Sequence, residues 1–388
     1  MAHALLAPSS ADVWSQCPGS VVLRSMVAET NTPESEEGTA AHWVAEQLLR
    51  DAVENERVSA ASFEHLLGNA APNGVLITRE MLSGAKMYVD YVHSLDIDFS
   101  NYNIEQMVTC FAIHLECWGT PDFFGVAIKV ADRKPILHVV DFKFGHGEVE
   151  VFENKQMLCY YSGIMDHLEI GDMDLTVVFH LVQPRCFHGN GPISTWEVEA
   201  TELRAAVNQL SSAAHKAMGS AEVTSGNQCR HCPARHACEA SRRAAVAAIS
   251  YTNAATPDPL TDEALAYELP TLVNAIKALE YRKDALENEA VARMGAGRNI
   301  PNLSMKQAYG NRAWTAETDT VQFLAEMSGV SFYADPALVT PAEAERRLKA
   351  AGLSNKEATE ALEGLVAKPS RGMKLSINTG DLARKAFS

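Results

Sequence analysis

The chain has 388 residues, 47% of them hydrophobic, which is enough for one sizeable core and a second module. A formal net charge of −16 argues against a protein that wraps nucleic acid by electrostatics alone. Eight cysteines without a secretion signal argue against a disulfide scaffold, and no apolar run reaches the roughly 18 residues of a membrane span.

The opening "MAHALLAPSS" has no basic n-region, so the expected location is the cytoplasm, with no membrane partner. A short segment carrying Cys17, in "WSQCPGS", leads to a predicted helix from about Gly38 to Arg50 ("GTAAHWVAEQLLR") and further helices to about Leu95. A strand-rich block from about Tyr102 to Val198 follows, with runs such as "NIEQMVTCFAI", "DFFGVAIKV", "PILHVVDFKF" and "DLTVVFHLVQP". One helix, "ENKQMLCYYSGIMDHL", interrupts the strands, and another, "TELRAAVNQLSSAAHKAM", leads to the cysteines of "NQCRHCPARHAC". "SYTNAATPDPLTD" reads as a linker, which divides the chain into 1–250 and a region of undefined role over 251–388.

Beyond the linker, Leu265, Leu269, Leu272, Ile276, Leu279, Lys283, Leu286 and Ala290 recur with helical spacing, and Pro270 is expected to break the stripe or to open its second helix. Packing on the chain's own helices is the favoured use of the stripe, ahead of an oligomer through these C-terminal helices. Acidity is concentrated in the first half: residues 1–225 hold 13 Lys and Arg against 30 Asp and Glu, residues 226–388 hold 20 against 19. Metal ions would neutralise some of those carboxylates.

Within "PILHVVDFKF", Val139, Asp141 and Lys143 share one strand face and Val140, Phe142 and Phe144 the other. A core strand rarely spends two charges on one side without a use for them. The upstream run "GTPDFFGVAIKV" pairs with it in a predicted hairpin centred near Asp132–Arg133, setting Asp122 opposite Lys143 and diagonal to Asp141. Two carboxylates and an ammonium then converge. That set offers hard oxygen ligands to Mg²⁺ and a cation to orient an attacking water at a phosphate.

"GTPD", then "VVDFK", then "QMLCYY" resembles the PD-(D/E)XK nucleases, and more narrowly their RecB-like branch. The resemblance implies a restriction-endonuclease-like α/β fold, with a mixed central sheet flanked by helices, an iron-sulfur staple and a mainly helical C-terminal region. It implies catalytic roles for Asp122, Asp141, Lys143, Gln156 and Tyr160, with Lys143 serving the attacking water and Gln156 and Tyr160 steadying the helix and the DNA backbone. It further implies that His42, Asp122, Asp141 and the carbonyl of Phe142 hold Mg²⁺ or Mn²⁺. Taken alone, His42 reads as a packing histidine. Glu46, one turn on, either orients that imidazole or is an exposed helix acid. Glu105 is read as solvent-facing in preference to a place at the site's edge. The branch often has Glu where this chain has Asp141, a shorter acid that still binds Mg²⁺ or Mn²⁺.

Cys17, followed some two hundred residues later by the C-x2-C-x5-C of Cys229, Cys232 and Cys238, resembles the arrangement in CRISPR-associated RecB-like nucleases and the AddB nuclease domain. There a 4Fe-4S cluster ties the N-terminal segment to the end of the nuclease domain. Zinc held by the four thiolates, or by three with His231 or His236, uses the same ligands and stays open. Cys110, Cys117, Cys159 and Cys186 read as buried spectators.

"HALLAPSSADVWSQCPGSVVL" and the downstream "NRAWTAETDTVQFLAEMSG" and "LVAKPSRGMKLSINTGDLARKAF" resemble a phage-associated family of RecB-like proteins. The implied function is a metal-dependent DNA exonuclease of phage recombination, repair or end processing, working in the bacterial host cytoplasm on DNA that is single-stranded or has free ends. A phage single-strand-binding or annealing protein is the further expected partner. A site- or structure-specific endonuclease and a non-catalytic DNA-binding protein are the alternatives. No G-x-x-x-x-G-K-[ST] loop is present for a helicase motor.

Overall fold

A computed structural model describes residues 4–27, 32–55, 63–95, 97, 102–128, 134–171, 173–186, 191–252, 261–309, 313–314, 318–334, 337–338, 340–367 and 370–377. Two short helices, α1 (Ala11–Gln16) and α2 (Ser20–Ser25), precede the long α3 (Pro33–Asn55) and α4 (Arg79–Ser94). Thr78 starts α4 by accepting a hydrogen bond from the Met81 N–H at 3.2 Å, satisfying one of the helix's orphan donors. Strands β1 (Tyr102–Ile104), β2 (Val108–Thr109), β3 (Trp118–Gly119), β4 (Phe123–Ile128) and β5 (Pro135–Phe142) follow. Helix α5 (Lys155–His167), strands β6 (Thr176–Val182) and β7 (Ile193–Glu199), and helix α6 (Ala200–Gly219) complete the block.

The central sheet is mixed and five-stranded, in the order β1-β4-β5-β6-β7, with β5 and β6 parallel and every other pair antiparallel. Alternation along β5 decides which helices cover each face. Leu137 and Val139 enter a core with Met157, Ile164, Leu203 and Leu210 of α5 and α6, while Val140 and Phe142 enter a second core with Val44, Leu48, Met81 and Tyr88 of α3 and α4. Helices thus flank both faces, as expected of the α/β class.

The β4–β5 ladder pairs Phe123 with Val140, so one further step sets Asp122 opposite Asp141. This corrects the expected pairing of Asp122 with Lys143 by two residues. The two registers keep the same faces, which is why alternation alone does not separate them. The turn expected at Asp132–Arg133 lies outside the described residues. A second correction concerns "NIEQMVTCFAI": Glu105 adopts a positive φ of 49° and separates β1 from β2.

Helices α7 (Glu239–Thr252) and α8 (Asp262–Gly295) come next; residues 253–260 of the predicted linker lie outside the described residues. Pro270 lies inside α8, not at a break. Leu265, Leu269, Ile276 and Leu286 of the predicted stripe are exposed, so these four do not make the expected packing on the chain's own helices. The chain divides into compact units Met1–Arg282 and Lys283–Ser388, within α8. Arg282, the last residue of the first unit, donates through its guanidinium to the carbonyls of Arg235 and His236 at 3.1 and 2.7 Å.

The second unit contains β8 (Leu303–Tyr309), β9 (Ala313–Trp314), α9 (Thr318–Ser328), β10 (Tyr333–Ala334), β11 (Ala337–Leu338), α10 (Pro341–Ala350), α11 (Asn355–Ala361), β12 (Val366–Ala367) and β13 (Ser370–Ile377). Phe332, Val321, Ala344 and Leu348 centre its small core. Its helices are accompanied by three two-stranded ladders, β8 with β13, β9 with β12 and β10 with β11, that a mainly helical reading did not include. No helix among the described residues is long and apolar enough to cross a membrane.

Candidate active site

Three strands end together and bring three acids into one row. Ile104 pairs with Phe123 and Phe123 with Val140, so the next step along the ladders is Glu105, Asp122, Asp141. The Glu105 N–H donates to the Asp122 carbonyl at 3.1 Å, holding that step together even as the positive φ of Glu105 turns the chain out of the strand.

Asp122 is buried and has two partners. One carboxylate oxygen lies 3.2 Å from Nδ1 of His42, on α3, and the other accepts the Phe142 N–H at 2.6 Å. Burial opposes its charge, yet His42, Lys143 and that N–H hold the carboxyl below the usual range. Burial likewise works against a charged His42, and the Asp122 carboxylate more than offsets it, leaving His42 raised. The imidazole packs edge-on against Phe142 at 5.4 Å between ring centroids, which fixes its plane.

Asp141 is held from the opposite side. Its Oδ2 lies 2.8 Å from Lys143 Nζ, and its Oδ1 accepts from Gln156 Nε2 at 3.1 Å. Gln156 also accepts from Lys143 Nζ at 3.0 Å and donates to the Tyr160 hydroxyl at 3.1 Å. Gln156 and Tyr160 lie one helical turn apart on α5, whose start Asn154 caps by accepting from the Gln156 and Met157 N–H groups. Burial and then the neighbouring Asp122 push Asp141 up, with Lys143 pulling against them. Lys143 stays cationic, because Asp141 and Asp122 outweigh its burial.

His42, Glu105 and Asp122 present ligand atoms all within 4.8 Å of one another, which makes the three a candidate group for a metal ion. Burial and then Asp122 push Glu105 up to about 8, against His42 and Arg50. One carboxylate oxygen of Glu46 pairs with Arg50 at 2.8 Å, and Arg50 in turn donates to the Ile104 carbonyl at 3.1 Å.

At a separate place in the first unit, Cys17, Cys229, Cys232 and Cys238 line one cavity. Thr224 donates its N–H to the Cys17 sulfur and Gly226 its N–H to the Cys229 sulfur, each at 3.4 Å. The Gly19 N–H donates to the Glu222 carbonyl at 2.7 Å, and the Thr224 hydroxyl to the Gln16 carbonyl at 2.7 Å, so the N-terminal segment is laced to the approach to the late cysteines. Ser20 lines the same cavity with its hydroxyl buried and, among the described residues, without a hydrogen-bond partner. His231 and His236 are not among the residues lining it.

A family model described as "Protein of unknown function (DUF2800)" matches residues 3–381. The chain belongs to the DUF2800 family. In this DUF2800 chain every site residue expected from the sequence falls into one of two groups: His42, Asp122, Asp141, Lys143, Gln156 and Tyr160 at the sheet end, with the Phe142 backbone between them, and the four cysteines at the cavity. What the sequence reading undervalued in the DUF2800 chain is Glu105. The only signal for it was its offset from the strand before "GTPD", and that becomes legible once β1 is known to pair with β4.

Proposed function

We propose that this protein is a Mg²⁺- or Mn²⁺-dependent deoxyribonuclease of the PD-(D/E)XK type, acting as an exonuclease on DNA with free ends. The observation that carries the reading is the pairing of Asp122 with Asp141 across β4 and β5, with Lys143 on Asp141 and His42 on Asp122. Donor chemistry fits the group: an imidazole nitrogen and hard carboxylate oxygens converge at the rim of a sheet.

His42, Asp122, Asp141 and the Phe142 carbonyl would hold the cation, which when bound supplies Lewis-acid stabilisation of charge on the phosphate. The remaining roles belong to the chain itself. Lys143, anchored by Asp141 and Gln156, orients the attacking water and offsets negative charge on the scissile phosphate. Gln156 fixes both members of that ion pair, and Tyr160 in turn fixes Gln156. Asp122 and His42 stand 3.2 Å apart, Oδ1 to Nδ1, so both donors would face the same cation.

For the cysteines the reading is a 4Fe-4S cluster that staples the N-terminal segment to the end of the nuclease unit. Four thiols lining one cavity, N–H donors aimed at two of the sulfurs and the orphaned Ser20 hydroxyl all suit a polar, anionic guest. The deciding experiment uses anaerobically purified protein and end-labelled linear and circular DNA, single- and double-stranded, with Mg²⁺, Mn²⁺ or EDTA. Cation-dependent release of nucleotides from linear DNA alone is expected. Cleavage of circles would make the protein an endonuclease, and no cleavage under any condition would overturn the nuclease reading.

A further inference from the structure

We propose that Glu105 is a ligand of the divalent cation, completing a set with His42 and Asp122. The inference rests on the metal-dependent reading above and adds a side chain to its site. Its ground is a contrast between two acids in the same row of the sheet. Asp141 already has a cation beside it, Lys143 Nζ at 2.8 Å from its Oδ2, an ion pair without hydrogen-bond geometry, and its Oδ1 accepts from Gln156 at 3.1 Å. The Glu105 carboxylate has no protein hydrogen-bond or ion-pair partner among the described residues, yet it stands close enough to Asp122 and His42 for one ion to touch all three. A partly buried carboxylate beside a second carboxylate is repelled by it unless a cation lies between them.

The scaffold delivers Glu105 there by two fixed bonds. Its own N–H is held by the Asp122 carbonyl, and the carbonyl of the preceding Ile104 is held by Arg50 of α3, the helix that also carries His42. Arg50 is itself steadied by Glu46. Helix, strand end and ladder therefore meet at one point, so the three ligating side chains have fixed origins on different elements. Pre-organisation of that kind is what a cation site needs.

The test is Mn²⁺ binding by the full-length chain, purified anaerobically and cleared of free divalent cations with its cysteine-bound group retained, read from the free-ion electron paramagnetic resonance signal, with thermal midpoints measured alongside. Wild type is expected to bind Mn²⁺ and to gain thermal stability from it. Glu105→Gln, nearly the same shape, is expected to weaken binding by about tenfold or more and to lose the Mn²⁺-induced shift. Its midpoint without metal should stay close to that of wild type, since the amide keeps the shape and volume of the acid. Glu105→Asp should bind between the two, which also covers a Gln variant that fails to fold. Unchanged Mn²⁺ affinity in Glu105→Gln, with binding lost in Asp122→Asn, overturns the assignment of Glu105 and leaves the nuclease reading standing. A wild-type chain that binds no Mn²⁺ overturns both.

Discussion

His42 and Asp122, eighty residues apart in the chain, meet at 3.2 Å between Nδ1 and Oδ1. That contact joins a helix on one face of the sheet to the first residue before β4, and Asp122 passes the connection to β5 through the Phe142 N–H. Removing either end of the charge set should stop chemistry without unfolding the chain. Asp122→Asn keeps the shape, and Lys143→Ala leaves no large apolar cavity. Each is expected to lower cleavage by about 10²–10⁴-fold with secondary structure unchanged by circular dichroism. Full activity in either variant would remove the active-site assignment.

Gln156 gives a graded test of positioning. Its amide oxygen accepts from Lys143 and its amide nitrogen donates to Asp141 and Tyr160, so each end of the amide has a different job. Gln156→Glu keeps the acceptor for Lys143 and sets a new charge against Asp141. Gln156→Ala frees both. We expect a loss of about 10–100-fold for Ala, with a shift in the pH profile for Glu that a purely structural role would not produce. Identical pH profiles for wild type and Gln156→Glu would argue that the amide does not set the Lys143–Asp141 pair.

Much of this is legible in the sequence. The Asp-x-Lys spacing needs only strand alternation, and Gln156 and Tyr160 need only the helical repeat; both periods are local. His42 and the cysteines were legible by resemblance, since nothing local distinguishes His42 from a packing histidine. What escaped depended on partners distant in sequence. The β4–β5 register hangs on a turn whose geometry the residues do not specify, and Glu105 matters only because β1 lies against β4. In the second unit β8 finds β13 across some sixty intervening residues, so "LSMKQAY" gave no local sign of its partner.

A buried histidine pair gives the pH prediction. His180 Nδ1 lies 2.7 Å from the Tyr91 hydroxyl and its Nε2 lies 2.9 Å from His138 Nδ1, and burial followed by His138 lowers its pKa to about 3. The neutral ring can accept from Tyr91 and donate to His138, whereas a charged ring would have to donate from both nitrogens and reverse the Tyr91 bond, in a buried site that penalises the charge. Between about pH 6.5 and 3 the unfolded chain therefore binds the proton and the folded chain does not, so stability falls as pH falls. This group alone should cost at most about 2 kcal/mol between pH 7 and pH 5. His42, raised by Asp122 against its burial, works with the opposite sign: its contribution is lost as pH rises through its folded value. The difference between wild type and His180→Asn isolates the first effect. The variant should be weaker at pH 7 but show a flatter decline in urea midpoint towards pH 5; parallel declines would assign the pH dependence elsewhere.

The cysteine cavity makes the last prediction, because its two halves come from opposite ends of the first unit. A Cβ at Gly19 would stand 2.5 Å from the Ala221 carbonyl oxygen, a contact no side chain tolerates, so the backbone beside Cys17 has room for glycine only. Gly19 has an ordinary helical φ of −67°, so the cost of Gly19→Ala is steric and not conformational. Pushing the strands of backbone apart should cost about 1–3 kcal/mol and draw Cys17 away from Cys229, Cys232 and Cys238. If a cluster joins the four sulfurs, Gly19→Ala should purify with less iron and a paler brown colour than wild type, and Cys17→Ala with little or none. Cys110, Cys117 and Cys159 sit in the core under β5, away from the cavity lining, so Cys110→Ala should keep its iron and lose only ordinary packing stability. Elemental analysis of anaerobically prepared protein reads all four chains at once. Zinc without iron in wild type would replace the cluster by an ion, and full iron content in Cys17→Ala would show that the N-terminal cysteine is not a ligand.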